Sequence, residues 1–361
     1  MRMATQDPRP LSEADILARL RAGEVGVAPL AIQWRASART QGPDATARVT
    51  WGGRSFRFVA KLKGRSIPKV FAAALAQAKA FAEKSGDNPM VVLPYLAPER
   101  LEELERKEVS GIDLCGNALV VIPGKLFILR TGAENKFKES FPIRDVYRGT
   151  TSLVARALLL RPSTESLNDL DQFIRSRGGE ITITTISKAL RRMEDDVLIE
   201  RRGGKARLLQ PEELLQKLAS AYRPPKIRRR LVGTTRLDRD KLCRRIGGVK
   251  TKVVLSGQSS TDRYAIMGRE DRIRLYCASV SAIEESLGPD FKPGDRFANV
   301  ELLETDEPTV YFDIRRDGQV PFASAIQTFL ELSAGDKREQ ETAEQVRTLI
   351  LSEGRKPQVR K

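Results

Sequence analysis

Apolar and polar positions recur with different periods along the chain, and these periods predict the secondary structure of its first third. Residues 11–23 carry apolar side chains at helical spacing, whereas residues 45–63 alternate on both sides of Gly52-Gly53, as in a β-hairpin. The further predicted elements are a helix at 70–84, a strand at 90–93, a helix at 98–107 and three strands between 111 and 130. This mixed order predicts an α/β domain that ends near Phe141.

The central segment, residues 150–209, has a clear helical period followed by a short hairpin pattern. Its first two helices are predicted in LVARALLL and, after a cap at Ser166, in LNDLDQFIRS. The third has Thr182 as its cap and an apolar stripe formed by Ile186, Leu190, Met193 and Val197. Two short strands then flank Gly203-Gly204. Three helices followed by a hairpin predict a winged helix-turn-helix.

The polar residues outside this apolar stripe are short hydroxyl side chains near the start of the helix and long cationic side chains further on. Such a distribution suits a helix that lies in the major groove of DNA. The hairpin carries several cations, which suit contacts with backbone phosphates. A winged helix used for protein contacts, or a bundle with a charged face, is the alternative. The predicted DNA contacts of this segment are Thr184, Thr185, Ser187, Lys188, Arg191 and Arg192 in the helix and Arg201, Arg202, Lys205 and Arg207 in the wing.

Residues 223–252 are dense in lysine and arginine and hold only two acidic residues, Asp238 and Asp240. We interpret them as a basic linker or arm that lies along phosphates through Arg228, Arg229 and Arg230. A solvated linker between domains is the alternative. Beyond it, VVLS, RIRLYCA, NVELLE and VYFDIRR predict strands, and a long helix is predicted from Ser324 to Leu351.

The amino-acid composition restricts the classes of function that this chain can have. The net charge of +16 favours a polyanionic partner, most commonly nucleic acid. The chain has no histidine, which excludes His-dependent catalysis and His-ligated metal sites. Its three cysteines are widely spaced, which is typical of a reducing compartment. The first residues lack the apolar core of a signal peptide, and no apolar run is long enough for a membrane span. We therefore expect a cytoplasmic protein that does not bind membranes.

The first domain resembles the PD-(D/E)XK nuclease fold. Pro43-Asp44 stands at the head of one hairpin strand, and FVAKLK occupies the next strand, where that family has an acid two residues before its lysine. Neither Val59 nor Lys61 supplies that acid. Nuclease chemistry requires acids that hold Mg²⁺, so we expect a degenerate site without metal, cofactor or catalysis. Its residues are Asp44, Lys61, Lys63 and Gln77.

Residues 150–350 resemble the AbiEi-type antitoxin and transcriptional-regulator family, although here about 145 residues precede the winged helix. The resemblance implies operator binding by the winged helix and toxin neutralisation by the domain that follows. It is carried by ISKALRRMEDDVLIERR, by VVLSGQSSTDRY and by VYFDIRRDGQVPFASAIQTFLELSAGDKREQETAEQVRTLI.

The sequence thus predicts an α+β multidomain protein that regulates transcription by binding specific DNA, or acts as the antitoxin of a toxin–antitoxin or phage-defence system. Its expected partners are double-stranded DNA, a toxin protein and a second copy of the chain. A DNA-processing nuclease and a structural plasmid or chromosome protein are the alternatives. The predicted domains are a restriction-endonuclease-like α/β domain at 1–145, the winged helix-turn-helix at 146–222, the basic linker at 223–252 and an α/β partner or assembly domain at 253–361.

Overall fold

The computed structural model describes residues 11–37, 42–137, 145–266 and 272–353. The chain divides into two compact units of mixed α and β structure, unit 1 (Met1–Pro142) and unit 2 (Ile143–Lys361). Across the ranges described, no helix is long and apolar enough to cross a membrane.

Unit 1 contains the hairpin, helices and strands predicted for it. A turn at Gly52 and Gly53, both with positive φ, joins the two hairpin strands, and Gly86 ends the long helix with a φ of 74°. Its helices are α1 (Glu13–Arg21), α2 (Pro68–Ser85) and α3 (Pro98–Arg106). Its strands are β1 (Ala31–Ala36), β2 (Ala45–Trp51), β3 (Arg54–Leu62), β4 (Asn88–Leu93), β5 (Ser110–Asp113), β6 (Ala118–Ile122) and β7 (Leu126–Arg130).

The seven strands of unit 1 form one sheet in the order of the sequence. The β3–β4 and β4–β5 pairs are parallel and the others antiparallel, because α2 and α3 provide the crossovers that parallel pairs require. One sheet face packs with α1 through residues such as Ile16 and Phe58. The other packs with α2 and α3 through residues such as Phe71 and Leu104.

Unit 2 begins with the central segment, in which the predicted helices and hairpin strands are all present. Its first elements are α4 (Ser152–Leu160), β8 (Ser163–Thr164), α5 (Leu167–Ser176), α6 (Ile183–Asp195), β9 (Ile199–Arg202), β10 (Lys205–Leu208) and α7 (Pro211–Ala221). The three strands pair in the order β8-β10-β9. Ser166 and Thr182 cap α5 and α6 through their side-chain oxygens, as predicted. Val197, placed on the apolar stripe of α6, lies beyond the helix with a φ of 62°.

The rest of unit 2 forms a second seven-stranded sheet in the order β14-β11-β15-β13-β12-β17-β16, with helices attached. These elements are β11 (Arg229–Thr235), α8 (Arg239–Gly247), β12 (Val253–Leu255), β13 (Ile273–Cys277), α9 (Val280–Leu287), β14 (Phe291–Pro293), β15 (Val300–Glu304), β16 (Arg315–Asp317), β17 (Val320–Phe322), α10 (Ala325–Ser333) and α11 (Lys337–Glu353).

The basic linker predicted at 223–252 is wrong from Arg229 onwards. Residues 229–235 form β11, which pairs with β14 on one side and β15 on the other. The helix α8 follows and buries Leu242 and Ile246 against the sheet core. The cations of this segment point to solvent or to acidic neighbours, while a few apolar residues between them supply the packing.

Two other predictions in this unit need correction. The helix predicted from Ser324 to Leu351 is broken at Ala334–Asp336, where Asp336 accepts a hydrogen bond from the backbone N–H of Glu339 and starts a new helix. The strand predicted in VYFDIRR begins only at Arg315, because Pro308–Tyr311 form a 3₁₀ turn.

One hydrophobic core joins the central helices to the end of the chain. Leu158 of α4 and Leu190 of α6 belong to the same buried cluster as Leu330 of α10 and Val346 of α11. The boundary predicted at 222/223 therefore does not separate two hydrophobic cores.

A buried polar cluster lies in the same region. The guanidinium of Arg156 donates to Oε1 of Gln327 at 2.8 Å, and the Gln327 amide donates to Glu331 at 2.8 Å. The backbone N–H of Gly257 donates to the other carboxylate oxygen of Glu331 at 2.8 Å. Burial raises the pKa of Glu331 to about 7 and lowers the pKa of Arg156 to about 10. Hydrogen bonds between polar and ionisable side chains thus connect α4 to α10 inside an otherwise apolar core.

Candidate nucleic-acid interface

The helix α6 has one buried face and one exposed polar face. Ile186, Leu190 and Met193 are buried in the core of unit 2. Thr184, Lys188 and Arg191 follow one another at intervals of four and three residues, so they form a strip on the opposite face, and all three are exposed. Ser187 lies half-buried at the edge of this strip. The strip presents a hydroxyl and two cations to solvent.

The charges of Lys188 and Arg191 are not neutralised within the protein. Neither side chain has an ion-pair partner among the residues that the structure describes. Arg192 differs, because its Nε lies 3.2 Å from Oδ2 of the buried Asp196. The hydroxyl of Tyr147 donates to the same carboxylate at 2.5 Å, and burial together with that carboxylate raises the pKa of Tyr147. Arg192 therefore anchors the end of α6, and its predicted DNA contact is not supported by this geometry.

The first turn of α6 is occupied by its own cap. Thr182 Oγ1 accepts from the backbone N–H of Thr185, and the two hydroxyls lie 2.9 Å apart. The half-buried Thr185 is thus engaged in the cap, whereas Thr184 points away from it and is exposed. Of the two adjacent threonines predicted to contact DNA, Thr184 is the accessible one.

The hairpin β9–β10 lies next to α6 and carries the predicted wing cations. Gly203 and Gly204 form its tip, both with positive φ. Arg202 pairs with Glu200 at 2.6 Å and Lys205 with Glu165 at 2.5 Å, all four being exposed or half-exposed. Exposed ion pairs contribute only about 0–1 kcal/mol, so phosphates can replace the carboxylates.

The other two wing cations differ in their surroundings. Arg201 is half-buried, with its guanidinium 4.0 Å from Glu194. Arg207 is exposed and has no acidic partner in the described part of the chain. Arg207 is therefore the wing cation most available for a phosphate.

Lys252 extends this surface in a way that sequence reasoning did not single out. A cavity of about 730 Å³ borders the start of α6, and its walls include Gly178, Thr182, Lys252 and Tyr311. The ammonium of Lys252 lies 4.0 Å from Glu180, just before α6. Because Lys252 reaches this position through the fold of the second sheet, no local pattern could have placed it there.

The three arginines predicted to form a DNA-binding arm neutralise acids of their own unit. Arg228 pairs with Glu304 at 3.3 Å and also with Asp306. Arg229 pairs with Glu284 at 3.0 Å, and Arg230 with the buried Glu301 at 2.5 Å. The acids come from α9, from β15 and from the residues just after β15, so the predicted linker or arm is wrong for these residues.

In unit 1, the structure brings together part of the predicted nuclease-like site. The ammonium of Lys61, which is 7% exposed, lies 2.5 Å from Oδ1 of Asp44, whose Oδ2 accepts from the backbone N–H of Leu62 at 2.8 Å. Val59 is buried beside them, and Lys63 pairs instead with Glu13 of α1. Gln77, the fourth predicted residue, lies exposed on α2 and forms no hydrogen bond with Asp44 or Lys61.

The side chains of this site do not form a metal-ligand set. Over the ranges that the structure describes, no group of three or more His, Cys, Asp or Glu side chains is placed to hold a metal ion. Both oxygens of the one carboxylate, Asp44, are occupied by a cation and a backbone N–H. Comparisons with protein families, curated proteins and solved structures found no match for this chain.

Proposed function

We propose that this protein binds specific sequences of double-stranded DNA through α6 and acts as a transcriptional regulator. The observation that carries the proposal is the exposed strip of Thr184, Lys188 and Arg191, whose two cations have no acidic partner in the described part of the chain. The order α4-β8-α5-α6-β9-β10, with strands paired as β8-β10-β9, supports the assignment of this segment as a winged helix-turn-helix. In that motif the helix corresponding to α6 enters the major groove.

The chemistry of the strip suits the reading of base edges. An arginine makes a bidentate contact with the O6 and N7 atoms of guanine, and a lysine binds the same edge as a point donor. Thr184 adds a short hydroxyl close to the start of the helix. Arg202, Lys205 and Arg207 of the hairpin would bind phosphates, which adds affinity without sequence information.

The test begins with the selection of bound duplexes from a random-sequence library by the full-length protein. The selected site and a random duplex are then titrated with wild type and with Lys188→Ala, Arg191→Ala and Arg207→Ala. We expect either substitution in α6 to reduce the ratio of specific to random affinity by about tenfold or more, since one base contact is worth about 1–3 kcal/mol. Arg207→Ala is the matched control and should lower both affinities together.

Two results would count against the proposal. If the library yields no enriched site, the protein binds DNA without sequence preference, which favours a structural plasmid or chromosome protein. If all three substitutions shift both affinities in parallel, α6 does not read bases.

The antitoxin form of this function is supported by the resemblance of residues 150–350 to AbiEi-type proteins. It requires that a neighbouring gene encode a toxin that this chain neutralises. Co-expression should then restore growth to cells that produce the toxin. Growth rescue that survives Lys188→Ala and Arg191→Ala would assign neutralisation to a surface other than the DNA-binding one.

We also propose that unit 1 is a restriction-endonuclease-like fold that does not cleave DNA. The order of α1 to β4, with an antiparallel β1–β2–β3 meander and a parallel β3–β4 crossover through α2, supports this assignment. The apolar Val59 and the ion pair of Asp44 with Lys61 support the loss of metal binding.

A further inference from the structure

The outer face of β1, β2 and β3 in unit 1 is a basic surface. On this face, Gln33, Arg48 and Arg57 stand side by side across the three strands, and Arg35 stands in the next row beside Thr46. We call Arg35, Arg48 and Arg57 the sheet arginines. All three are exposed, and the three strands contain no aspartate or glutamate.

The opposite face of the same strands already supplies the hydrophobic packing. Trp34, Ala47 and Phe58 alternate with the sheet arginines and are buried in the core under α1. Along β1 and β2 and at the start of β3 the outer-face positions are exposed or half-buried and add nothing to that core, whereas Val59 further along β3 is buried.

The sheet arginines are placed at a cost to stability. Arg48 and Arg57 are direct cross-strand partners, and like charges in that position destabilise a sheet. Arg57 is partly neutralised, since its Nε lies 3.3 Å from Asp87, but the side chain remains 73% exposed. Arg35 and Arg48 have no acidic partner among the residues that the structure describes. An anionic ligand would remove the repulsion.

The neutral residues of this face also suit a phosphate backbone. Gln33 supplies an amide, and Thr46, Thr50 and Ser55 supply hydroxyls, all of which donate to phosphate oxygens. Thr50 and Ser55 lie opposite each other, with their hydroxyl oxygens 3.0 Å apart. Donors and cations therefore share one surface, to which the three strands themselves contribute no carboxylate.

We propose that the sheet arginines bind the phosphate backbone of double-stranded DNA and give the protein a second, sequence-independent contact besides α6. The inference rests on the proposed function in one respect, namely that the polyanion is the DNA duplex bound by unit 2. An arginine row without a base-reading element strengthens binding to every sequence equally.

The experiment uses the full-length protein with Arg35 and Arg48 both changed to Gln. Its affinity for a random-sequence duplex is measured over a range of NaCl concentrations. Loss of two phosphate contacts should reduce the slope of log K against log salt by about 1.8, since each contact contributes about 0.9. The ratio of specific to random affinity should stay unchanged.

The control is the double variant Arg54→Gln, Arg106→Gln, which removes the same charge from unit 1. Arg54 lies in the same hairpin but on the opposite sheet face, and Arg106 lies at the end of α3. Both are exposed. The control should leave the salt slope at its wild-type value. Melting temperatures should show the R35Q/R48Q variant to be as stable as wild type or more so, because its repulsion is relieved.

An unchanged salt slope in R35Q/R48Q would overturn the inference, as would an equal change in the control. The inference would also be overturned if the protein bound an RNA duplex or an acidic polypeptide more tightly than DNA, and if R35Q/R48Q weakened that binding but left DNA binding unchanged. Failure of the proposed function would appear in a different measurement, namely the ratio of specific to random affinity of the Lys188→Ala and Arg191→Ala variants.

Discussion

The buried carboxyl of Glu331 should make the stability of unit 2 depend on pH. It lies inside the core and accepts hydrogen bonds from Gln327 and from the backbone of Gly257. Burial raises its pKa from the ordinary value of 4.5 to about 7, although these donors and the Tyr276 hydroxyl favour the charged form. The folded protein therefore holds this proton more tightly than the unfolded chain does.

The direction and the size of the effect follow from that difference. The stabilisation given by the proton is complete below the unfolded pKa of 4.5 and is lost as the pH rises to about 7. At about 1.4 kcal/mol for each pH unit of the difference, the loss is on the order of 3 kcal/mol. Glu331→Gln is isosteric with the protonated acid and does not titrate, so the variant should lack this loss.

The assay is urea denaturation of wild type and Glu331→Gln at several pH values, with unfolding monitored by far-UV circular dichroism. The difference in unfolding free energy between the two proteins should shift by about 2.5 kcal/mol in favour of the variant between about pH 5 and pH 8, since part of the loss already occurs below pH 5. Taking the difference cancels the titration of the other groups. Both tryptophans, Trp34 and Trp51, belong to unit 1, so their fluorescence follows the unfolding of the other unit separately.

Parallel pH profiles for wild type and Glu331→Gln would refute this reasoning. A second variant makes the test sharper. Tyr276→Phe removes a donor that favours the charged carboxyl, so the loss of stability should move to higher pH. A movement to lower pH would show that the hydrogen bond does not act as described.

Three further predictions concern other parts of the chain. Purified protein should not nick supercoiled plasmid with Mg²⁺ or Mn²⁺, and nicking that Asp44→Ala abolishes would contradict the proposed inactive site. The variant R228Q/R229Q should keep the wild-type salt slope for DNA, because each guanidinium is held by two partners, Arg228 by Glu304 and Asp306 and Arg229 by Glu284 and Ser281; a shallower slope would restore the arm hypothesis. Asp113→Ala should destabilise unit 1 by on the order of 3 kcal/mol in urea denaturation followed by tryptophan fluorescence, since its buried carboxylate accepts several backbone N–H groups of the turn after β5. Asp113→Asn, which keeps one acceptor, should lose less, and equal losses would mean that these hydrogen bonds do not account for the effect.

The sequence by itself determined the elements whose cause is local. The 3.6-residue period placed Ile186, Leu190 and Met193 on the buried face of α6 and left Lys188 and Arg191 on the other. The caps of α5 and α6 and the glycine turns of both hairpins were likewise predicted, because each depends on neighbours within a few residues. The absent acid at Val59 was also visible from the sequence.

Only the tertiary structure decided what depends on distant partners. The basic segment became β11 because β14 and β15, far along the chain, pair with it, while Glu284 of α9 and Glu301 of β15 neutralise Arg229 and Arg230. The register of β2 and β3 set Arg48 beside Arg57, and the second sheet carried Lys252 to the start of α6. The sequence gives the number of cationic side chains in each segment. Which of them face a carboxylate, and which are left for a ligand, is fixed by contacts between residues far apart in the chain.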